Sequence, residues 1–155
     1  MSGRRILLVL PEPPLPFGDA GARWYSVLCK ELVARGHRVT TFAACRNKEE
    51  IAATEAIFPT PQYDTRCYLR PQRRGVSSKW ESFRRPHSYL FSPTMKRDLH
   101  EELSRGFDIL HLEQIWAAWA VPEPPRKSLI NVHYLFEIDM AGRTPASLKE
   151  RALGI

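Results

Sequence analysis

The sequence predicts a three-layer α/β domain built on a mostly parallel, doubly wound sheet, and three observations carry that expectation. Short aliphatic runs alternate with helically spaced segments along the chain. The first strand, helix and strand fit within about forty residues, the length of a βαβ unit. With 155 residues and 43% hydrophobic content the chain can build one compact core and hardly two, so a single domain over 1–155 is expected.

Each element has a local reason. Residues 4–10 end in an unbroken aliphatic run, the pattern of a strand covered on both faces. Pro11, Pro13, Pro14 and Pro16 then forbid a helix, leaving 11–19 as a loop at the strand's carboxyl end. A helix follows from 20 or 21 to 35, with Trp24, Val27, Leu28 and Leu32 at helical spacing, Asp19 as N-cap and Gly36 as the left-handed closing residue. Residues 37–44, with Val39, Thr41 and Phe42, read as a second strand. A short helix over 48–58 precedes a third strand over 63–69, where Tyr63, Thr65, Cys67 and Leu69 alternate. Ser92 and Pro93 open a helix over 93–105 that Gly106 closes. Residues 108–112 and 128–132 are the remaining strands, separated by a turn or helix at 116–120 and the break at Pro122, Pro124 and Pro125. A last helix is expected over 145–153.

Composition excludes several classes. The first apolar run is too short for a secretory leader or a membrane span, so a cytoplasmic location is expected. Three cysteines without C-x-x-C spacing support neither a disulfide framework nor a structural zinc site. The net charge of +6 favours polyanionic partners. Much of it lies between 66 and 85, where Arg66, Arg70, Arg73, Arg74, Lys79, Arg84 and Arg85 face Glu81 alone. Trp80, Phe83, Tyr89 and Phe91 accompany these cations. Over 66–91 the composition suits, in that order, a solvated loop, the headgroup surface of an anionic membrane, and a groove for single-stranded nucleic acid.

Ligands of open parallel sheets bind beyond the carboxyl ends of the strands, which singles out 16–23, 111–114 and 133–139. Gly18, Asp19, Gly21 and Arg23 lead into a helix N-terminus, where backbone can approach a ligand and free amides favour phosphate or carboxylate; the same turn can simply cap the helix. Neither G-x-G-x-x-G nor a P-loop occurs, so a nicotinamide cofactor and ATP hydrolysis have no motif support. His111 and Glu113 stand two apart on a strand and share a face, as pocket lining or as a structural pair. His37 lies in a helix-to-strand connector at the opposite end. Glu137 and Asp139 are neighbours in sequence, unlike the converging carboxylates of a glycosidase. A receiver-like regulatory domain is disfavoured, because only Glu12 follows the first strand as an acid. No acidic metal-binding motif is present, and no metal is expected.

The aliphatic run at 6–10, then Pro11-Glu12-Pro13-Pro14, Gly18-x-x-Gly21-x-Arg23 and Leu28-x-x-x-Leu32-x-x-x-Gly36-His37-x-Val39, resembles the opening of family 4 glycosyltransferases of GT-B architecture. Phe107-Asp108-Ile109-Leu110-His111 and Leu129-Ile130-Asn131-Val132-His133 fall where that family places its strand-plus-histidine segments. The resemblance spans most of the chain. It implies a Rossmann-like N-terminal half, the acceptor side of a retaining, nucleotide-sugar-dependent enzyme. A C-terminal domain with a Glu-x7-Glu motif and an Arg/Lys pair would hold the donor; none of it lies in 1–155, so the chain alone is expected to be inactive. By the same resemblance Gly18, Asp19, Gly21 and Arg23 bind donor phosphate or acceptor, although Asp19 and Ala20 interrupt the family's adjacent glycines. His133 becomes the catalytic residue that contacts the donor sugar, and His111 and Glu113 line the acceptor pocket. The expected partners are a nucleotide-diphosphate sugar, which is a co-substrate and not a cofactor, and a sugar or lipid-linked acceptor at the inner membrane face. Self-association of the isolated domain is also expected. The other open reading is a stand-alone Rossmann-like module that binds a phosphorylated ligand or nucleic acid, the latter disfavoured.

Overall fold

The computed structural model of the chain describes residues 3–57, 60–72, 75–121 and 123–132. Five strands form one sheet: β1 (Arg5–Leu10), β2 (Arg38–Cys45), β3 (Tyr63–Leu69), β4 (Ile109–Glu113) and β5 (Ser128–Asn131). Their order is β3-β2-β1-β4-β5, every pairing is parallel, and β1 is central as its aliphatic run requires. Among the described residues four α-helices accompany them: α1 (Ala20–Ala34), α2 (Lys48–Glu55), α3 (Gly75–Arg84) and α4 (Pro93–Ser104). The three-layer, doubly wound α/β fold read from the sequence is the observed one.

Alternate residues of β1 feed two cores. Ile6, Leu8 and Leu10 pack with Val39, Ala43, Tyr63 and, from α1, Tyr25 and Cys29. Leu7 and Val9 pack with Phe42, Leu110 and Leu112 and, from α4, Met95 and Leu99. Each leucine so buried contributes about 1.5–3 kcal/mol relative to exposure.

The caps are as the sequence indicates. Asp19 accepts from the Ala22 amide at 3.1 Å, and Ser92 from the Met95 amide at 3.1 Å, with Pro93 at the start of α4. Gly36 closes α1 at φ 81°. The buried face of α1 is displaced from the expected one: Ala22, Tyr25, Ser26 and Cys29 are buried, whereas Trp24 and Val27 are about half exposed. Only Leu28 and Leu32 of the expected set reach the core. Helical spacing identified the helix but not its rotation, which contact with the sheet decides.

Three boundaries shift for visible reasons. β2 begins one residue late because His37 still belongs to the turn, its amide bound to Leu32 O at 3.1 Å and its Nδ1 accepting from the Arg4 amide at 3.2 Å. β4 begins at Ile109 because the Asp108 carboxylate accepts from the Arg5 amide at 2.8 Å. α2 ends at Glu55 where the Ala56 amide closes onto Ala52 O. The largest difference concerns the basic segment. It contains the helix α3, not a loop throughout; Val76, Trp80 and Phe83 stand at i, i+4 and i+7 in its sequence, a helical period masked by the surrounding arginines. The expected helix over 145–153 lies outside the described residues.

Candidate functional site

Because all five strands run in parallel, their carboxyl ends meet at one edge, and a polar residue stands at or within two residues of each end: Glu12 beyond β1 and Pro11, Arg46 after β2, Arg70 after β3, Gln114 after β4, with Asn131 ending β5. Prolines flank Glu12, and the chain bends there instead of continuing as strand or helix.

Glu12 and Asp19 form a carboxyl pair. Burial pushes the Glu12 carboxyl up to about 7; its hydrogen bond with Asp19 and the Asp19 charge add to this, against Arg70 and Arg46. Asp19 is held below the usual carboxylate range, chiefly by the Ala22 amide it caps and also by Glu12 as a donor. Two carboxyls whose environments push them apart titrate in separate ranges, so a proton shared by the pair sits on Glu12 and not on Asp19. Gly21 makes room for this pair, since a Cβ there would collide with the Glu12 carboxylate. Gly18 lies in the preceding turn, its amide bound to Leu15 O at 3.3 Å, and its missing Cβ leaves space for Ala22. Arg23 is exposed and forms no ion pair among the described residues.

Arginines border the pair on the β2 and β3 side. Arg70 Nη2 donates to Pro11 O at 2.7 Å, tying the end of β3 to the loop after β1, while its buried Nε has no hydrogen-bond partner among the described residues. Arg46 pairs with Glu50 at 2.5 Å.

On the other side stands Glu113, fully buried at the end of β4. Its Oε1 lies 3.0 Å from His111 Nε2, and its Oε2 accepts from Asn131 Nδ2 at 3.2 Å across the β4 and β5 register. A carboxylate so buried needs such partners, because its desolvation cost is otherwise uncompensated. Gln114 adopts φ 71°, which a residue with a side chain seldom does. Its amide is held by Asn131 O at 2.9 Å and its carbonyl by the Ala117 amide at 3.0 Å. Strain retained in this way collects at functional sites. Tyr25 of α1 joins the two halves: burial, then the charges of Glu113 and Glu12, raise its phenol, against the nearby Gln114 side chain.

The expected residues are therefore distributed unevenly. Asp19, Gly21, His111 and Glu113 fall on one edge around Tyr25, Arg23 points to solvent, and His133, Glu137 and Asp139 lie outside the described residues. His37 sits at the amino end of β1, as expected. Gln114 ends the 111–114 stretch singled out from the sequence, whereas Glu12, Tyr25 and Asn131 belong to the cluster but were not predicted for it; the signal that could have found Glu12 and Asn131 is their place at a strand's carboxyl end. The edge offers a proton donor near neutrality, buried acceptors and a cationic border, a set suited to a polyhydroxyl ligand.

No helix among the described residues is long and apolar enough to cross a membrane. The sequence model of Glycosyltransferase Family 4 matches residues 22–153, well over half of the chain. No curated protein matches it significantly.

Proposed function

The chain belongs to glycosyltransferase family 4, and on that premise we propose that it is the acceptor-side half of a retaining, nucleotide-sugar-dependent glycosyltransferase. The observation that carries this reading is the convergence of Glu12, Asp19, His111, Glu113 and Asn131 on the carboxyl edge of the sheet. Carboxylates and an amide accept and donate to sugar hydroxyls, and a carboxyl that holds its proton near neutrality can exchange one with an acceptor hydroxyl. Gly18, Gly21 and Arg23 then serve the donor phosphate or acceptor at the α1 N-terminus, and His133 contacts the donor sugar.

Transfer in this reading needs a second, donor-binding domain to close over the edge and exclude water. Residues 1–155 alone are therefore expected to show no steady-state turnover of nucleotide sugars with sugar acceptors, and a clear rate would refute that part. The acceptor assignment is tested by following backbone amides during titration with mono- and disaccharides. Shifts at Glu12, Asp19, His111 and Glu113 are expected; shifts confined to the opposite edge would reject the site. The isolated chain is expected to self-associate through the surface that meets the second domain, read by sedimentation.

An anionic membrane is the second partner, in a cytoplasmic protein that meets the inner face peripherally. Its support is the exposed pair Trp80 and Phe83, stacked at 6.2 Å on α3, beside Arg84 and Arg85. Arg85 in turn lies 5.7 Å from the ring centroid of Trp119. Interfacial tryptophan with neighbouring cations binds anionic headgroups. Co-sedimentation with phosphatidylglycerol vesicles should fall several-fold in Trp80→Ala and vanish with neutral vesicles; equal binding to both lipids would exclude it.

A further inference from the structure

At the amino-terminal edge of the sheet, on the α4 face, a cavity of about 270 Å³ is lined by Arg5, Arg38, Thr40, Gln62, Asp64 and Glu102. It lies at the opposite end of the strands from the carboxyl-edge cluster and shares no residue with it. We propose that this cavity binds a small phosphate ester, its phosphate held between Arg5 and Arg38.

The charge count around the cavity is unbalanced. Glu102, nearly buried, already serves three arginines: Arg66 at 2.9 Å, Arg105 at 3.0 Å and Arg5 at 3.7 Å. Asp64 serves Arg66 as well, at 3.2 Å. Arg38, the parallel cross-strand neighbour of Arg5, has no ion pair among the described residues. Like charges opposite one another on adjacent strands destabilise a sheet, so Arg5, whose carboxylate at 3.7 Å is shared with Arg66 and Arg105, and Arg38, which pairs with none among the described residues, form a site that a dianion offsets.

The register supplies the geometry. Arg38 and Thr40 alternate onto the same face of β2 as the core residue Phe42, and Arg5 onto the same face of β1 as Leu7. Both guanidinium groups and the Thr40 hydroxyl thus line one wall, and that hydroxyl makes no hydrogen bond among the described residues. The Arg38 fork, the donors of Arg5 left over from Arg105 O at 3.3 Å and the Thr40 hydroxyl match the several acceptor oxygens of phosphate better than the two of a carboxylate. The cavity far exceeds the roughly 30 Å³ of one water, which leaves room beside Gln62 for the organic body of an ester.

The test is an amide-resolved titration of the whole chain with inorganic phosphate and, separately, with a hexose 6-phosphate, ionic strength being held with chloride. Saturable shifts at Arg38, Thr40 and Gln62 are expected, the ester binding tighter than phosphate. Arg38→Gln should weaken both ligands about tenfold and Thr40→Val by less, whereas Lys30→Gln, which removes the same charge from the surface of α1, should leave both unchanged. Thr40→Val keeps every charge, so it tests the site even if Arg38→Gln perturbs the fold. Shifts that do not saturate, shifts at the carboxyl edge only, or unaltered affinity in both variants would overturn the site. Inorganic phosphate binding tighter than the ester would overturn the organic body.

Discussion

The two ends of this sheet are built from the same strands and carry opposite chemistry. At the carboxyl edge, carboxyls meet one another: burial and Asp19 raise the Glu12 carboxyl to about 7, and the buried Glu113 accepts from the Asn131 amide with His111 Nε2 at 3.0 Å. At the amino edge a single nearly buried carboxylate, Glu102, gathers Arg5, Arg66 and Arg105. The first arrangement gathers acceptors and a titrating proton at the carboxyl ends of the strands. The second ties β1, β3 and the end of α4 together by charge, and its excess is positive. One edge is organised around a proton, the other around ion pairs, so a single-residue change should affect stability and pH response differently at each.

The largest expected effect is at the amino edge. Glu102→Ala removes the shared partner of three arginines and should lower unfolding stability by about 3 kcal/mol, toward the low end for a broken buried pair because those arginines are partly solvated. Denaturant unfolding measures it, and a loss well under about 1 kcal/mol would mean that this end is not held by Glu102.

At the carboxyl edge Asp19→Ala removes the α1 cap, at a cost of about 1 kcal/mol. It should also lower the Glu12 midpoint from about 7, since the Asp19 hydrogen bond and charge both raise it. Carbon NMR of the Glu12 carboxyl reads this directly; an unmoved midpoint would leave burial as the sole cause.

Glu12→Gln gives an effect confined to one pH range, with the clearest sign. Because the folded midpoint of about 7 lies above the ordinary 4.5, the contribution of Glu12 is fully present below 4.5 and is lost as pH rises through 7. The variant should remove that decline and be more stable than the parent above pH 7 by roughly 1 kcal/mol, after allowance for solvent screening. Parallel stability profiles for the two proteins across that window would contradict the shared proton.

Much of the fold was legible locally. The aliphatic run of β1 and the alternation in β3 announce strands, while Asp19, Ser92, Pro93 and Gly106 mark helix ends through hydrogen bonds and dihedral limits that act within a few residues. α3 escaped notice because its charge suggested solvation while its apolar residues repeat only as Val76, Trp80 and Phe83, a weak version of the pattern that revealed α1. The site was legible only in part. His111 and Glu113 share a face by the two-residue period of a strand, which any sequence shows. Nothing local joins Glu12 to Asp19, Arg70 to Pro11 or Glu113 to Asn131.

The sequence by itself determined which segments are strands and helices, where most of them begin, and that β1 is buried on both faces, because each depends on short-range sterics and on the period of hydrophobic residues. The tertiary structure alone decided which face of α1 is covered and which charges become neighbours. Parallel pairing in the order β3-β2-β1-β4-β5 stacks every carboxyl end on one edge and every amino end on the other. Residues separated by 100 positions, such as Arg5 and Arg105, thereby come within hydrogen-bond reach, and burial then shifts the proton on Glu12, a property that no side chain has in isolation.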